Sequence, residues 1–349
     1  MRYHGFISRR RQGFVLPLVI VAMLLVAALA GATQFAAWRA SRAARQAFNG
    51  ERALLGADES IAHTIANWNA ESFARSAIGS RITSRVHTAA GEAVDVITTR
   101  TAPLMAWVDV TAASQNVGAP TRAQRRVGRA LFTEPPPLPL SAALVSLTPL
   151  ALRGTARVSG LDIAATTDEC GPWRDTASIA ALHNRIHHID STVVIVGAPP
   201  IATVVDTARD LAAFNAAWQL IAARAVQRIV SPNAPLPVEP PWRAVLVRDT
   251  ITVQLAGASR HEGIVAIDGN LVLSGSLTIR GLLVVRGSVD ATAGQLDIEG
   301  AMVTFAPNGT TSSFGNNTSV RYSQCALRRA LAAISRPTTQ PFRIWSERD

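Results

Sequence analysis

The chain contains no lysine. All 34 of its basic side chains are arginine, alanine is abundant, and the formal net charge is +10. Arginine used to the exclusion of lysine reads as GC-rich coding bias rather than selection for phosphate contacts. The arginines are scattered rather than gathered into a basic footprint, so nucleic acid is not expected as a partner. Cysteine is almost absent as well: Cys170 and Cys325 are the two in 349 residues. Without a C-x-x-C pair they do not suggest a metal site. The sequence has no G-x-S-x-G elbow, no phosphate-loop lysine and no dinucleotide fingerprint, which removes the commonest hydrolase, nucleotidase and dehydrogenase signatures. No catalytic residue, cofactor or metal is expected.

What is present is concentrated at the start. A basic tail, Arg9-Arg10-Arg11-Gln12, ends in Gly13, and an apolar run from Phe14 continues to Ala32 without a charged or polar side chain. As a helix, Phe14 to Ala37 would be roughly 36 Å long, enough for a bilayer core of ~30 Å. A secretory signal would show a shorter apolar stretch followed by its cleavage site. Here the glycine comes first. Charge counting leaves the orientation a draw, because Arg39, Arg42, Arg45 and Arg52 follow the span as closely as four arginines precede it.

This order of basic tail, glycine, phenylalanine and apolar helix resembles the class III leader of type IV prepilins and type II secretion pseudopilins. The resemblance implies cleavage by a prepilin peptidase between Gly13 and Phe14, followed by N-methylation of Phe14. Removing Met1 to Gly13 would lower the net charge to +6. Leu18 stands at the fifth mature position, where major pilins carry glutamate. Its absence is a trait of PilX-like minor pilins and of the K-type pseudopilin, associated with initiation or the tip. A buried carboxylate needs a partner such as a neighbour's N-terminal amine; a subunit with no neighbour above it is better served by leucine. The resemblance also implies an inner-membrane single-pass topology with a cytoplasmic N-terminus and the body in the periplasm or on an extracellular filament. The implied partners are the prepilin peptidase, the inner membrane, and other pilins or pseudopilins met through the N-terminal helix. The plainer alternative is an ordinary single-span anchor.

Further along, the pattern predicts an α+β chain. Residues 1–13 are the leader, 14–37 the transmembrane helix, and 38–79 its helical, amphipathic continuation, with Leu54, Leu55, Ile61, Ile65 and Trp68 at near-helical spacing. Period-two alternation over residues 80–133 predicts a small antiparallel sheet. Pro135-Pro136-Pro137-Leu138-Pro139 marks a linker over 134–142. Residues 143–322 are read as a parallel β-solenoid-like domain. Gly263–Gly269, Gly281–Gly287 and the start of a third copy at Gly300 recur 18 and 19 residues apart, as coils of stacked short strands would. Gly154–Gly160 has the same frame, so the solenoid can begin before an intervening helical insertion at about 166–245, in which Asp206 to Val230 has helical composition. A meander with glycine turns is the competing reading. Residues 323–349 are a short helix and a poorly ordered tail.

The remaining chemistry is thin. His183 and His187 stand four apart, with His188 and Asp190 beside them, a spacing that can hold a metal on a helix but lacks a third ligand at a diagnostic interval. Asp268, Asp290, Asp297 and Glu299 lie along the repeats, where paired carboxylates would do acid/base work in a polysaccharide enzyme; turn chemistry accounts for Asp268 more simply. Cys170 and Cys325 both sit in polar, exposed-looking surroundings. In an oxidising compartment they can close a loop of about 155 residues, worth on the order of 4–5 kcal/mol; two unrelated thiols are the alternative. The reading that follows is a non-enzymatic minor pilin-like subunit of a type IV pilus or a secretion pseudopilus. The alternative is a membrane-anchored solenoid that binds or cleaves a surface polysaccharide.

Overall fold

The computed structural model describes residues 15–89, 93–114, 123–136, 138–163, 170, 175–181, 186–203, 207–229, 233–305 and 310–348. It begins with α1, Val15–Ala66, a helix of 52 residues. Pro17 falls in the first turn, where its missing N–H would have had no intrahelical partner. Leu16 to Phe48 are exposed throughout, and burial begins at Asn49. From there Gly50, Ala53, Gly56, Ala57 and Ser60 line one face, and Ala53, Ala57 and Ser60 have no exposed surface. Small side chains recurring every three or four residues bring the helix axis close to whatever it covers. What they meet here is a sheet of the same chain.

After α1 the chain breaks at Asn67–Asn69 and restarts as α2, Ala70–Arg75, with the Asn69 side chain accepting from the Ser72 N–H at 2.9 Å as its N-cap. Four antiparallel strands follow: β1 (Arg81–His87), β2 (Ala93–Ala102), β3 (Met105–Ser114) and β4 (Ala123–Glu134). Their alternation puts Val94, Val96, Val108, Val110, Val127 and Leu131 against α1, with Ile61 and Phe73 completing the core. On the outer face Arg85 pairs with Asp95 and Arg126 with Asp109. The sheet has a fifth strand that the sequence reading missed. The C-terminal segment, expected to be poorly ordered, forms β20, Arg336–Arg348, antiparallel to β4 from Arg336↔Glu134 to Arg348↔Gln124. Everything between residues 134 and 336 is therefore inserted into one side of this sheet.

The insertion is the solenoid, a parallel sheet curled into three runs of stacked strands. One run stacks β12 (Val226–Ile229), β13 (Arg243–Leu255), β14 (Ala258–Leu273), β15 (Ser276–Val285), β17 (Gln295–Thr304), β5 (Ala142–Ser146), β8 (Ala177–Ala181) and β11 (Ile201–Thr203). Val226, Val245, Val265, Leu283, Met302, Leu144, Ile179 and Ile201 form one column across it. A second run adds β19 (Thr318–Tyr322), β7 (Arg157–Ser159) and β10 (Val194–Val196) to the first halves of β14, β15 and β17. Its column is His261, Ile279, Ile298, Val320, Val158 and Ile195. The third run holds β16 (Val289–Ala291), β18 (Ser312–Phe314), β6 (Leu150–Leu152) and β9 (Ile186–Ile189) beside the ends of β13 and β14.

Gly263, Gly281 and Gly300 pair with one another at the bend between the first two runs, at φ 129°, 140° and 144°. A Cβ at Gly281 would lie 2.1 Å from the Gly263 carbonyl oxygen, and one at Gly300 only 1.8 Å from that of Gly281. Only glycine fits this corner. Before it, burial alternates; after it, Ile264–Ile267, Leu282–Val285 and Ala301–Thr304 are buried without a break. Covering both faces of a parallel strand makes such runs, and α4, Gln324–Ala332, supplies an outer cover on β14, β15 and β17.

The coils do not stack in chain order. The first ones, β5 to β11, lie beyond the last ones, β17 to β19, and β12 stands at the opposite end. Seven strand spacings of ~4.8 Å separate β12 from β11, about 34 Å. The connector is α3, Thr207–Arg224, whose 18 residues rise roughly 27 Å. It buries Phe214, Trp218 and Ile221, and Phe305 packs against both of its aromatic rings. The helical insertion is thus narrower than the 166–245 expected, because β8 to β11 belong to the solenoid. The helix also stops before Val230: Val226–Ile229, rich in β-branched residues, pairs with β13 instead. Gly154–Gly160, although it shares the frame of Gly263–Gly269, lies on the second run rather than the first.

Candidate functional site

Two places carry the features that the sequence singled out: the bare half of α1, and the seam where early and late coils meet. Gly13 and Phe14 lie outside the described residues. Leu18 is on α1 and 66 % exposed among the described residues. The exposed apolar side chains Leu16, Ile20, Met23, Leu24, Val26 and Leu29 continue the same surface. This is the one helix among the described residues long and apolar enough to cross a membrane. At its outer end Phe35 and Trp38 stack at 6.2 Å, with the Arg39 guanidinium 4.9 Å from the Phe35 ring and that of Arg42 5.5 Å from Trp38. Aromatic rings followed by cations four residues on form a ring-and-cation collar of the kind found where hydrocarbon gives way to headgroups. The i, i+4 spacing of Phe35–Arg39 and Trp38–Arg42 was its signal in the sequence.

At the seam, β5 pairs with β17, β6 with β18 and β7 with β19. Four fully buried hydroxyls are shared across it. Ser146 Oγ lies 2.9 Å from Thr304 Oγ1, Thr148 Oγ1 lies 2.8 Å from Ser312 Oγ, and Ser312 Oγ accepts from the Val289 N–H at 3.2 Å. Each hydroxyl has a partner, which buried polar groups require. Across the same seam, Cys170 and Cys325 are joined by a disulfide with Cα atoms 5.3 Å apart. Both are buried rather than exposed, at 6 %, because Cys325 opens the packed helix α4. Arg328 donates to the Cys170 carbonyl at 2.7 Å, and the Gln324 N–H donates to Asp162 at 3.0 Å. The loop after the first coil is thereby tied to the helix after the last.

The histidines do not form the helical pair that their spacing allowed. His183 lies outside the described residues. His187 and His188 are on strand β9, so successive side chains point to opposite faces. His188 pairs with Asp190. The Gly154 N–H, donating to Asp190 at 2.6 Å, and then His188 hold that carboxyl below the usual carboxylate range. The repeat carboxylates are each engaged as well. Asp268 lies between Arg248 and Arg286, Asp297 faces Arg321, and Glu299 faces Arg280. Asp290 accepts from the Thr292 backbone and hydroxyl. Glu262, Arg280, Glu299 and Arg321 stand in register on neighbouring strands, a ladder of alternating charge.

Two buried groups escaped the sequence reading. Arg100 donates to the carbonyls of Ala74, Ser76 and Pro103 at 2.9, 2.6 and 3.0 Å and lies 4.8 Å from the Phe73 ring, fastening α2 to β2. His261, inside the end coil, bonds the Arg243 carbonyl through Nε2 at 2.9 Å. Burial pushes its pKa down, against the weaker opposing pull of that bond and of Glu239 and Glu262. The two units meet nearby. Trp242 packs with Phe73, Ala332 and Ala333, and Arg243 pairs with Glu71 at 3.0 Å and with Glu239 at 2.9 Å.

No family model matches the chain, and no curated protein matches it either. Among solved structures it is similar to the competence-associated pilin ComZ from Thermus thermophilus, over 86 % of this chain and 98 % of that one. The identity is 11 % and the TM-score 0.26, a likeness too slight to carry a functional conclusion.

Proposed function

We propose that the chain is a non-enzymatic, minor pilin-like subunit, of PilX-like type, acting in assembly or at the initiating tip of a type IV pilus or a related secretion pseudopilus. The observation that carries this reading is the division of α1. Leu16 to Phe48 are exposed, apolar as far as Ala32 and then arginine-bearing from Arg39, and the remainder is embedded by small side chains in an antiparallel sheet. A rod built this way offers one surface to lipid or to sister helices while the sheet holds the head rigidly at its end. The leader around Gly13 supplies the processing signal, and Leu18 removes the glutamate suited to a many-copy subunit. In this reading the prepilin peptidase trims the chain on the cytoplasmic side of the inner membrane, Phe14 is methylated, and the helix joins other pilins or pseudopilins with the body outside the cytoplasm. The arginine partners of Asp268, Asp297 and Glu299 give the polysaccharide-cleaving alternative no free carboxylate pair among these residues.

Mass spectrometry of the native N-terminus tests the reading: methylated Phe14 is expected, and an intact Met1 start overturns it. Gly13→Ala should leave the protein wholly unprocessed. Asp268→Asn and Asp297→Asn should leave assembly intact; normal folding with lost function in either would favour the enzyme.

A further inference from the structure

Where the end of α1 and the start of α2 meet the ends of α3 and α4 there is an open cleft of roughly 800 Å³. Trp68, Asn69, Glu71, Arg224, Ser335 and Arg336 are among the residues that line it. Its size is that of a small-molecule site. The carboxylate in it, Glu71, is already engaged by Arg75 at 3.3 Å and Arg243 at 3.0 Å. The two arginines are not matched in this way. Arg224 uses one terminal nitrogen to donate to the carbonyls of Ile334 and Ser335, the latter at 2.9 Å, and so holds the turn that follows α4. Its other N–H groups remain for another acceptor. Neither Arg224 nor Arg336 has an acidic partner among the described residues. Burial, and then the like charge of Arg336, push the Arg224 pKa below its ordinary value. Both line this cleft, Arg224 half-buried and Arg336 exposed, and two like charges in one cleft favour an anion that joins them. Trp68 lines the same cleft, and its buried indole N–H has no acceptor among the described residues.

We propose that this cleft binds a small oxyanion, a carboxylate or a phosphate, held by the guanidiniums of Arg224 and Arg336. The planar fork of arginine suits both groups, since it can give two parallel N–H bonds to two oxygens. Arg224 belongs to the solenoid insertion and Arg336 opens the returning strand of the small sheet, so a bound anion bridges the two units. The proposal is independent of the pilus reading, because it rests on these side chains and not on α1's bare surface.

Thermal unfolding of the full-length chain in detergent tests it, with inorganic phosphate and citrate compared against sodium chloride at equal ionic strength. Binding to the folded state should raise Tm by about 2–4 °C near saturation. A rise with phosphate alone assigns a phosphate ligand, one with citrate alone a carboxylate, and one with both the oxyanion class. Arg336→Gln leaves the Arg224 bonds to the turn after α4 in place and should lose the rise; Arg224→Lys, which keeps the charge but not the fork, should weaken it. The proposal is overturned if neither anion exceeds chloride, or if both variants keep the full rise.

Discussion

The small sheet and the solenoid are assembled by different rules. In the sheet, β1 to β4 lie side by side in chain order, and only β20 comes from far away. In the solenoid, strands repeat about every 18 residues, yet the stack is cut and rejoined: residues 142–203 sit beyond residues 295–322. A sheet of hairpins can form from local contacts. A stack with a seam requires chain ends to be brought together over more than 150 residues, which is entropically costly and slow. The seam is also where the disulfide and the buried hydroxyl network are found.

The largest test of that contrast is removal of the staple. Replacing Cys170 and Cys325 with alanine should cost about 5 kcal/mol for a loop of this length, read as a lower denaturation midpoint that reductant no longer changes. Next come two glycines. Gly281→Ala sets a Cβ against the backbone of the next coil at positive φ and should cost about 3–4 kcal/mol. Gly128→Ala in the sheet meets only the Trp107 ring, at 2.3 Å, and a ring can turn aside, so about 1 kcal/mol is expected. Equal costs would erase the distinction between the units. Arg100→Ala leaves three carbonyls without their donor and should destabilise the small unit by about 3 kcal/mol, measured by chemical denaturation. The smallest effect is a pH dependence in the solenoid. Because the folded His261 has a lowered pKa, the unfolded chain takes up its proton first as pH falls. Stability should therefore be full above about pH 7 and decline as pH drops through ~6.5; His261→Gln should flatten the slope seen in Tm.

The strands and helices were legible where a period was present. Alternation revealed β1 to β4, and the glycine frame revealed β14, β15 and β17, because each pattern reports one element's own environment. Spatial order was not legible. The inward columns are almost all valine, isoleucine and leucine, so no coil's sequence says which coil it stacks on. The final strand was missed for a local reason: Pro337 and Pro341 interrupt its alternation, and an edge strand tolerates prolines that a central one would not. The cysteines' polar neighbours suggested exposure, since a few flanking residues cannot report that Cys325 lies on the packed side of α4. Of the bare half of α1, the apolar run and Leu18 were visible from the start. The cleft at Arg224 and Arg336 was not, since its walls come from three separate stretches of chain.

Glu134 and Arg336 are paired neighbours, and that adjacency has a consequence for how such molecules diversify. The entry and exit of the inserted body occupy a single socket, so its length and shape are free variables as far as the stalk is concerned. A head of quite another kind could be mounted at the same place, leaving the shaft untouched.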